Sequence, residues 1–252
     1  MRQVSMSLLA ACLTVAVGIV VPNTARAETA DEILARADKL TNGWDDQYMK
    51  STMTIIDIDG SKKSYVFSIS QKGEKRMVRF ESGELKGMAT LIMNRDGVYA
   101  YLPGFKKIRR VAAHNMNQSF AGSDFSNDDM AFTSWTNSYV ATNDHEDANY
   151  WYLACTPRPG GVKPPHPRAI AKIDKKNYQL MGYEFFDGDD QKVKTFENSD
   201  LTDWGGGKYR TKVIVVTDAR TGHQTRLDLI DAKFNAGIKD STFTERELEW
   251  GK

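Results

Sequence analysis

The chain has 252 residues, 40% hydrophobic and 27% charged, and its 34 basic side chains nearly balance 33 acidic ones for a net charge of +1. That balance excludes the basic excess expected of a nucleic-acid or anionic-membrane binder. Two cysteines, Cys12 and Cys155, exclude a disulfide-stapled scaffold.

The N-terminus sets the expected compartment. Arg2 precedes an apolar run over residues 8–21, interrupted only by Thr14 and Gly18, and Ala25-Arg26-Ala27 matches an A-x-A cleavage site. The expectation is a signal peptide over 1–27, cut after Ala27, and a periplasmic single domain over 28–252. The run falls short of the roughly 20 residues that span a bilayer. Leu9-Ala10-Ala11-Cys12 also has the form of a lipobox. The residues after Cys12 stay apolar rather than turning into a polar tether, which favours cleavage over lipidation. Cys155 is then left without a partner and reads as a core residue of the strand WYLAC.

The chain that follows opens with a helix over 29–44. Thr29 and Glu32 have capping-box spacing, and Ile33, Ala37, Leu40 and Trp44 share one face. Strands are expected at 50–57, 64–71, 74–81, 89–94, 97–102 and 105–111, with Asp59-Gly60 and Asp96-Gly97 as hairpin turns. A loop and helix fill 112–133, with Ser126 and Asp129 at capping-box spacing and Phe125 and Met130 placed as a hydrophobic staple. Strands resume at 138–142, 150–156, 169–174, 179–187, 192–200, 208–218 and 225–234, and Thr242 and Glu245 could cap a closing helical turn. Five of the seven prolines lie between Pro157 and Pro167, so that segment is a surface loop rather than a central strand. A dozen or so meandering strands suggest one strongly curved antiparallel sheet.

The stretch YLPGFKKIRRVAAHNMNQSFAGSDFSNDDM, residues 101–130, carries the most information. The order YLP, KKIRRV, F-x-GSDF-x-x-DD resembles the LolA-like periplasmic proteins, the family of outer-membrane lipoprotein-sorting type. The stretch AKIDKKNYQLMGYEFFDGDDQKVKTFE and the ending DSTFTERELEW resemble the same family. The resemblance implies a mainly β (α+β) fold: an incomplete β-barrel whose helices cover a hydrophobic cavity. It implies a non-enzymatic carrier that binds acyl chains of lipid or lipoprotein and moves them towards the outer membrane. The alternative is an envelope lipid-sensing or transporter-associated module. An inner-membrane transporter of RND/MMPL type is the implied partner, and the chain is expected to be a monomer that binds no nucleic acid. The segment after FTERELEW is too short for the C-terminal extension of the lipoprotein carriers, which puts lipoprotein cargo in doubt.

If the sheet curls around a pocket, Phe67, Ile69, Met77, Leu91, Met93, Tyr99, Tyr101, Phe185, Val213, Val215, Leu227 and Leu229 are the apolar candidates for its lining. Their more ordinary role is sheet core, and bulges hide which parity points inward. Phe120, Gly122, Ser123, Asp124 and Phe125 form the family-motif loop, either a rim of the cavity or a cap on the loop–helix joint. Lys107, Arg109 and Arg110 could meet a partner or a lipid headgroup, or could protect a solvated sheet edge. Asp124, Asp128 and Asp129 lack the spacing of a calcium loop. His114, His145, His166 and His223 lack metal-ligand spacing and read as surface or loop residues. No nucleophile elbow, P-loop or dinucleotide fingerprint is present, so no catalytic residue, metal or cofactor is expected.

Overall fold

The computed structural model describes residues 26–249. The expected lipobox at Cys12 and nearly all of the expected signal segment lie outside them.

Thirteen antiparallel strands form one curved sheet that does not close. They are β1 (Gln47–Ile56), β2 (Lys62–Lys72), β3 (Lys75–Phe80), β4 (Ala89–Ile92), β5 (Val98–Leu102), β6 (Lys107–Arg110), β7 (Tyr139–Glu146), β8 (Tyr150–Pro157), β9 (Arg168–Asp174), β10 (Leu180–Phe186), β11 (Lys192–Asp203), β12 (Tyr209–Asp218) and β13 (Gln224–Phe234). The order across the sheet is β6-β5-β4-β3-β2-β1-β13-β12-β11-β10-β9-β8-β7. Every adjacent pair of strands but one is therefore also consecutive in sequence, and β6 and β7 form the two edges. The exception is β1 beside β13, which joins two meanders in mid-sheet.

Three helices serve the concave side: α1 (Ala30–Asn42), α2 (Asn127–Ala131) and α3 (Trp135–Ser138). The α1 helix starts at Thr29, whose side chain accepts from the Glu32 amide while the Glu32 carboxylate accepts from the Thr29 amide. It ends at Gly43, so Trp44 lies beyond it and packs on Phe234 instead of continuing the helical face. Ile33, Leu34 and Ala37 go into the main core with Met116, Phe120, Phe125, Met130 and Trp135 from the segment before β7. From the sheet that core takes alternate residues, such as Phe67 on β2, Val78 and Phe80 on β3 and Phe196 on β11, as the period-2 pleat requires.

The other face of β3–β5 would be left bare, and the C-terminal segment covers it. Phe243 and Leu248 bury Met77, Leu91 and Tyr101 there, with two 3-10 turns (Asp240–Thr242 and Glu245–Glu249) carrying them. Asp46 ties this segment to the α1–β1 connection: its carboxylate accepts from the amides of Ala236, Gly237 and Ile238 at 2.7, 2.9 and 3.0 Å.

Candidate functional site: an apolar cavity with two arginines

Between the sheet and its helices lies a cavity of about 200 Å³. Register explains its walls. Ser51 of β1 faces Phe67 of β2 and Leu229 of β13, and Met53 faces Leu227, so these side chains share the inner face. Ile214 of β12 faces Leu227 and continues the row. Leu40 at the end of α1, Met130 of α2 and Trp135 of α3 close the cavity from the helical side. Tyr183 and Leu180 of β10 complete it.

Phe67, Ile69, Leu227 and Leu229 line this cavity. Phe185 points to the same side of the sheet but is fully packed beneath Trp135, Tyr183 and His166. Met77, Leu91, Met93, Tyr99 and Tyr101 belong to the outer cluster under Phe243 and Leu248. Strand parity is the reason: Val78 and Ile92 face inward, so Met77 and Leu91 beside them face outward. Val213 and Val215 alternate with the inward Ile214 and Val216, and Val213 pairs with the outward Asp228. Leu40, Met49, Met53, Met130, Trp135, Arg76 and Arg210 are lining residues that sequence reasoning did not single out. The helical face was a signal for Leu40, while the parity that Arg210 shares with Ile214 and Val216 marks it as inward only once the inner face of β12 is known.

The motif loop reaches the cavity through Phe125, which lines it. Ala121 and Gly122 both take left-handed backbone, at φ 55° and 77°, a conformation costly for alanine and free for glycine. The turn they make lets Phe120 donate its amide to the Phe125 carbonyl at 2.6 Å, while Ser123 Oγ donates to the Phe120 carbonyl at 2.6 Å. Phe120 and Phe125 then enter the main core. Asp124 accepts from Thr225 Oγ1 at 2.7 Å and contacts His223 Nδ1 at 2.8 Å. At the next step Ser126 and Asp129 complete a reciprocal capping box on α2. Gly122, Ser123, Asp124 and Phe125 border a separate groove, shared with His166, Asp187, Lys194, Arg220 and His223. Its walls are mixed, with charged and polar side chains beside Ile58, Pro165, Pro167 and Val193.

Two histidines expected at the surface are drawn inward by this arrangement. His166, in the proline-rich loop, stacks on Phe185 at 4.5 Å, and its burial lowers its pKa. His223 bridges Asp124 and Asp57, with Nε2 3.3 Å from the latter. Lys194 and Asp129 form a buried ion pair next to His166. Lys107, Arg109 and Arg110 sit on β6, the outermost strand of its meander, and are exposed; Arg110 donates to the Asp96 carbonyl at 2.7 Å. Among the described residues no group of three or more His, Cys, Asp or Glu side chains could hold a metal ion.

The inner face carries one further polar arrangement. Gln47 of β1 faces Gln71 of β2, which faces Arg76 of β3. Arg76 Nε donates to Gln71 Oε1 at 2.9 Å, and Arg210 donates to Gln47 Oε1 at 2.6 Å. Arg76 also donates to the Met130 carbonyl at 2.6 Å and Arg210 to the Thr41 carbonyl at 3.4 Å. Burial pushes both guanidinium groups down to about 10, so both stay charged at neutral pH.

A protein-family model described as "-like: Uncharacterized protein" matches residues 72–250. No curated protein matches the chain. Among solved structures, an outer membrane lipoprotein-sorting protein domain from Vibrio parahaemolyticus superposes with a TM-score of 0.76 at 20% identity, covering 87% of this chain and 98% of that one. A DUF1329 family protein from Desulfovibrio piger gives a TM-score of 0.78 at 21% identity, covering 87% and 97%. A LolA superfamily protein from Nitrosomonas europaea gives 0.73 at 21% identity, covering 88% and 100%. At such identities the likeness establishes the fold.

Proposed function

We infer the function from one premise: the chain belongs to the uncharacterized-protein family whose model matches it, and it has the LolA-superfamily fold. It is a carrier that binds the acyl chains of lipid or lipoprotein in the cavity between sheet and helices and moves them across the periplasm towards the outer membrane. The observation that carries this reading is the lining itself, with Phe67, Ile69, Met49, Met53, Leu227 and Leu229 facing an open interior volume. Each methylene taken from water into such a site contributes about 0.8 kcal/mol, so a long chain binds firmly without any covalent chemistry. Methionines suit the task, because their unbranched side chains adapt to chains of varied length. The solved relatives named for lipoprotein sorting and the LolA superfamily support the same reading. Release needs a partner with a better site, for which an RND/MMPL-type transporter or an outer-membrane acceptor is suited.

The test is native mass spectrometry of the protein purified from the periplasm. A stoichiometric acyl-bearing adduct is expected. A protein that arrives empty and also fails to take up phospholipid or a fluorescent fatty acid would sink the carrier reading in favour of a protein-binding envelope module.

A further inference from the structure

The cavity is apolar in its walls but not neutral. Arg76, Arg210 and Lys212 line it, against a single lining carboxylate, Asp129. The charge of Asp129 is already paired with Lys194 through Oδ2, which also accepts the Ser126 amide at 2.7 Å, while its Oδ1 has no hydrogen-bond partner. Neither Arg76 nor Arg210 forms an ion pair with a carboxylate among the described residues. Their acceptors are all neutral: the side-chain amides of Gln71 and Gln47 and the carbonyls of Met130 and Thr41.

The way these arginines are held is itself informative. Both guanidinium groups are half-buried in the cavity wall, and a guanidinium drawn away from water is ordinarily matched by an acid, because an unpaired charge there is costly. Here the two acceptors at the β1–β2 pair, Gln47 and Gln71, are buried, and each fixes one arginine in direction without cancelling its charge. The two cations are held on neighbouring acceptors, since Gln47 and Gln71 face each other across the β1–β2 pair and each takes one guanidinium. Two like charges held together without a counter-charge form a site that an anion completes. A guanidinium has five donors in a planar fork, so each arginine retains N–H groups to offer. Asn198, on the same wall, has a buried side-chain oxygen without a hydrogen-bond partner, while its amide nitrogen donates to the Leu180 carbonyl at 2.8 Å. It could accept from a protonated headgroup oxygen.

We propose that the cavity's ligand is an anionic amphiphile, an acyl chain ending in a carboxylate or phosphate, whose charged group is held by Arg76 and Arg210 while its chain lies along Met53, Phe67, Leu227 and Leu229. This rests on the carrier reading and names the ligand class for it. Charge-assisted bonds from arginine to carboxylate or phosphate are about twice as strong as neutral ones, so the charged end sets orientation and selectivity while the chain supplies affinity.

The test is calorimetric titration of the purified protein at neutral pH with four probes: dodecanoate, monododecyl phosphate, dodecan-1-ol and inorganic phosphate. The expected result is that one or both anionic amphiphiles bind at least about tenfold more tightly than the alcohol, a difference of about 1.4 kcal/mol. Which of the two is preferred tells a fatty acid from a phospholipid-type headgroup. Arg76→Gln and Arg210→Gln each narrow that ratio towards one, and Arg76→Lys restores part of it. Equal affinity for the alcohol and the anions overturns the inference while leaving an acyl-binding carrier. Inorganic phosphate binding as tightly as its dodecyl ester overturns it too, since the chain would then add nothing. Failure of all four overturns both readings. The comparison of probes on the unaltered protein stands even if a variant fails to fold.

Discussion

Asp124 and Thr225, 101 residues apart, hold each other twice. The threonine hydroxyl donates to the Asp124 carboxylate at 2.7 Å and accepts from the Asp124 amide at 2.9 Å. This reciprocal pair anchors the motif loop to the start of β13, and both residues are buried or nearly so. Thr225→Val keeps the shape but leaves an amide and a carboxylate oxygen short of a partner. We expect it to cost about 1–3 kcal/mol, read from the shift in urea midpoint. Asp124→Ala should cost at least as much, and the double variant should show a coupling energy of about 1 kcal/mol or more. Additive losses would mean that the two residues act separately.

Lys194 compensates Asp129 where both are nearly closed to solvent, with side-chain exposures of 11% and 5%. Lys194→Met removes one member and strands the other. A loss of about 3–5 kcal/mol is expected. A variant as stable as the parent in guanidinium melts would show that the Ser126 amide satisfies Asp129 unaided.

His166 gives the protein an acid-side weakness. Burial lowers its pKa from 6.5 in the fold. Above 6.5 it is neutral in both folded and unfolded chains and contributes no pH dependence. As pH falls below 6.5 the unfolded chain takes up the proton first, so stability drops until the folded pKa is passed. His166→Gln should flatten the melting temperature against pH below 6.5. An unchanged slope would assign the effect to other groups.

Cys155 is wholly buried on β8, and burial pushes its thiol up to about 12. The thiolate is the reactive form. A thiol-specific disulfide reagent at pH 8 should therefore leave Cys155 of the native protein unlabelled, read by peptide mass mapping, and label it once urea unfolds the chain. Rapid labelling of Cys155 in the native protein would mean that the strand pair around it opens readily.

Leu227 faces the cavity centre on β13, beside Met53 and Ile214. Leu227→Trp fills space that an acyl chain would occupy. Fatty-acid uptake should fall by about tenfold or more with little change in melting temperature, since a void accepts bulk that a packed core rejects. Undiminished uptake would place the chain elsewhere.

The sequence was most readable where local chemistry decides the outcome. The capping residues Thr29 and Ser126 do what their spacing to Glu32 and Asp129 predicts. The Asp59-Gly60 turn preceded a strand expected over 64–71, whose observed range is Lys62–Lys72. The cavity was less readable, because lining depends on parity carried across strands. A bulge at Lys50/Ser51 shifts the β1–β13 register. Met77 and Tyr101 look like lining residues in isolation. Only the C-terminal segment, arriving from far along the chain with Phe243 and Leu248, gives their face something apolar to meet. Arg76 and Arg210 were hidden for the same reason: a charged residue in a strand reads as solvent-facing until the pairing of Gln47 with Gln71 shows which side it occupies.

The pairing of β1 with β13 bears on how the protein assembles. Every other strand contact joins neighbours along the chain, so each meander consists of hairpins that need close only short loops. The β1–β13 seam instead brings Gln47 to Phe234, and a closure of that length is the costliest single one in the topology. The two arms are thus suited to forming early and separately, and to docking late along a single zipper. The cavity, whose walls draw on β1, β2 and β13 together, exists only after that docking, so a nascent arm has no finished acyl-binding site to fill prematurely.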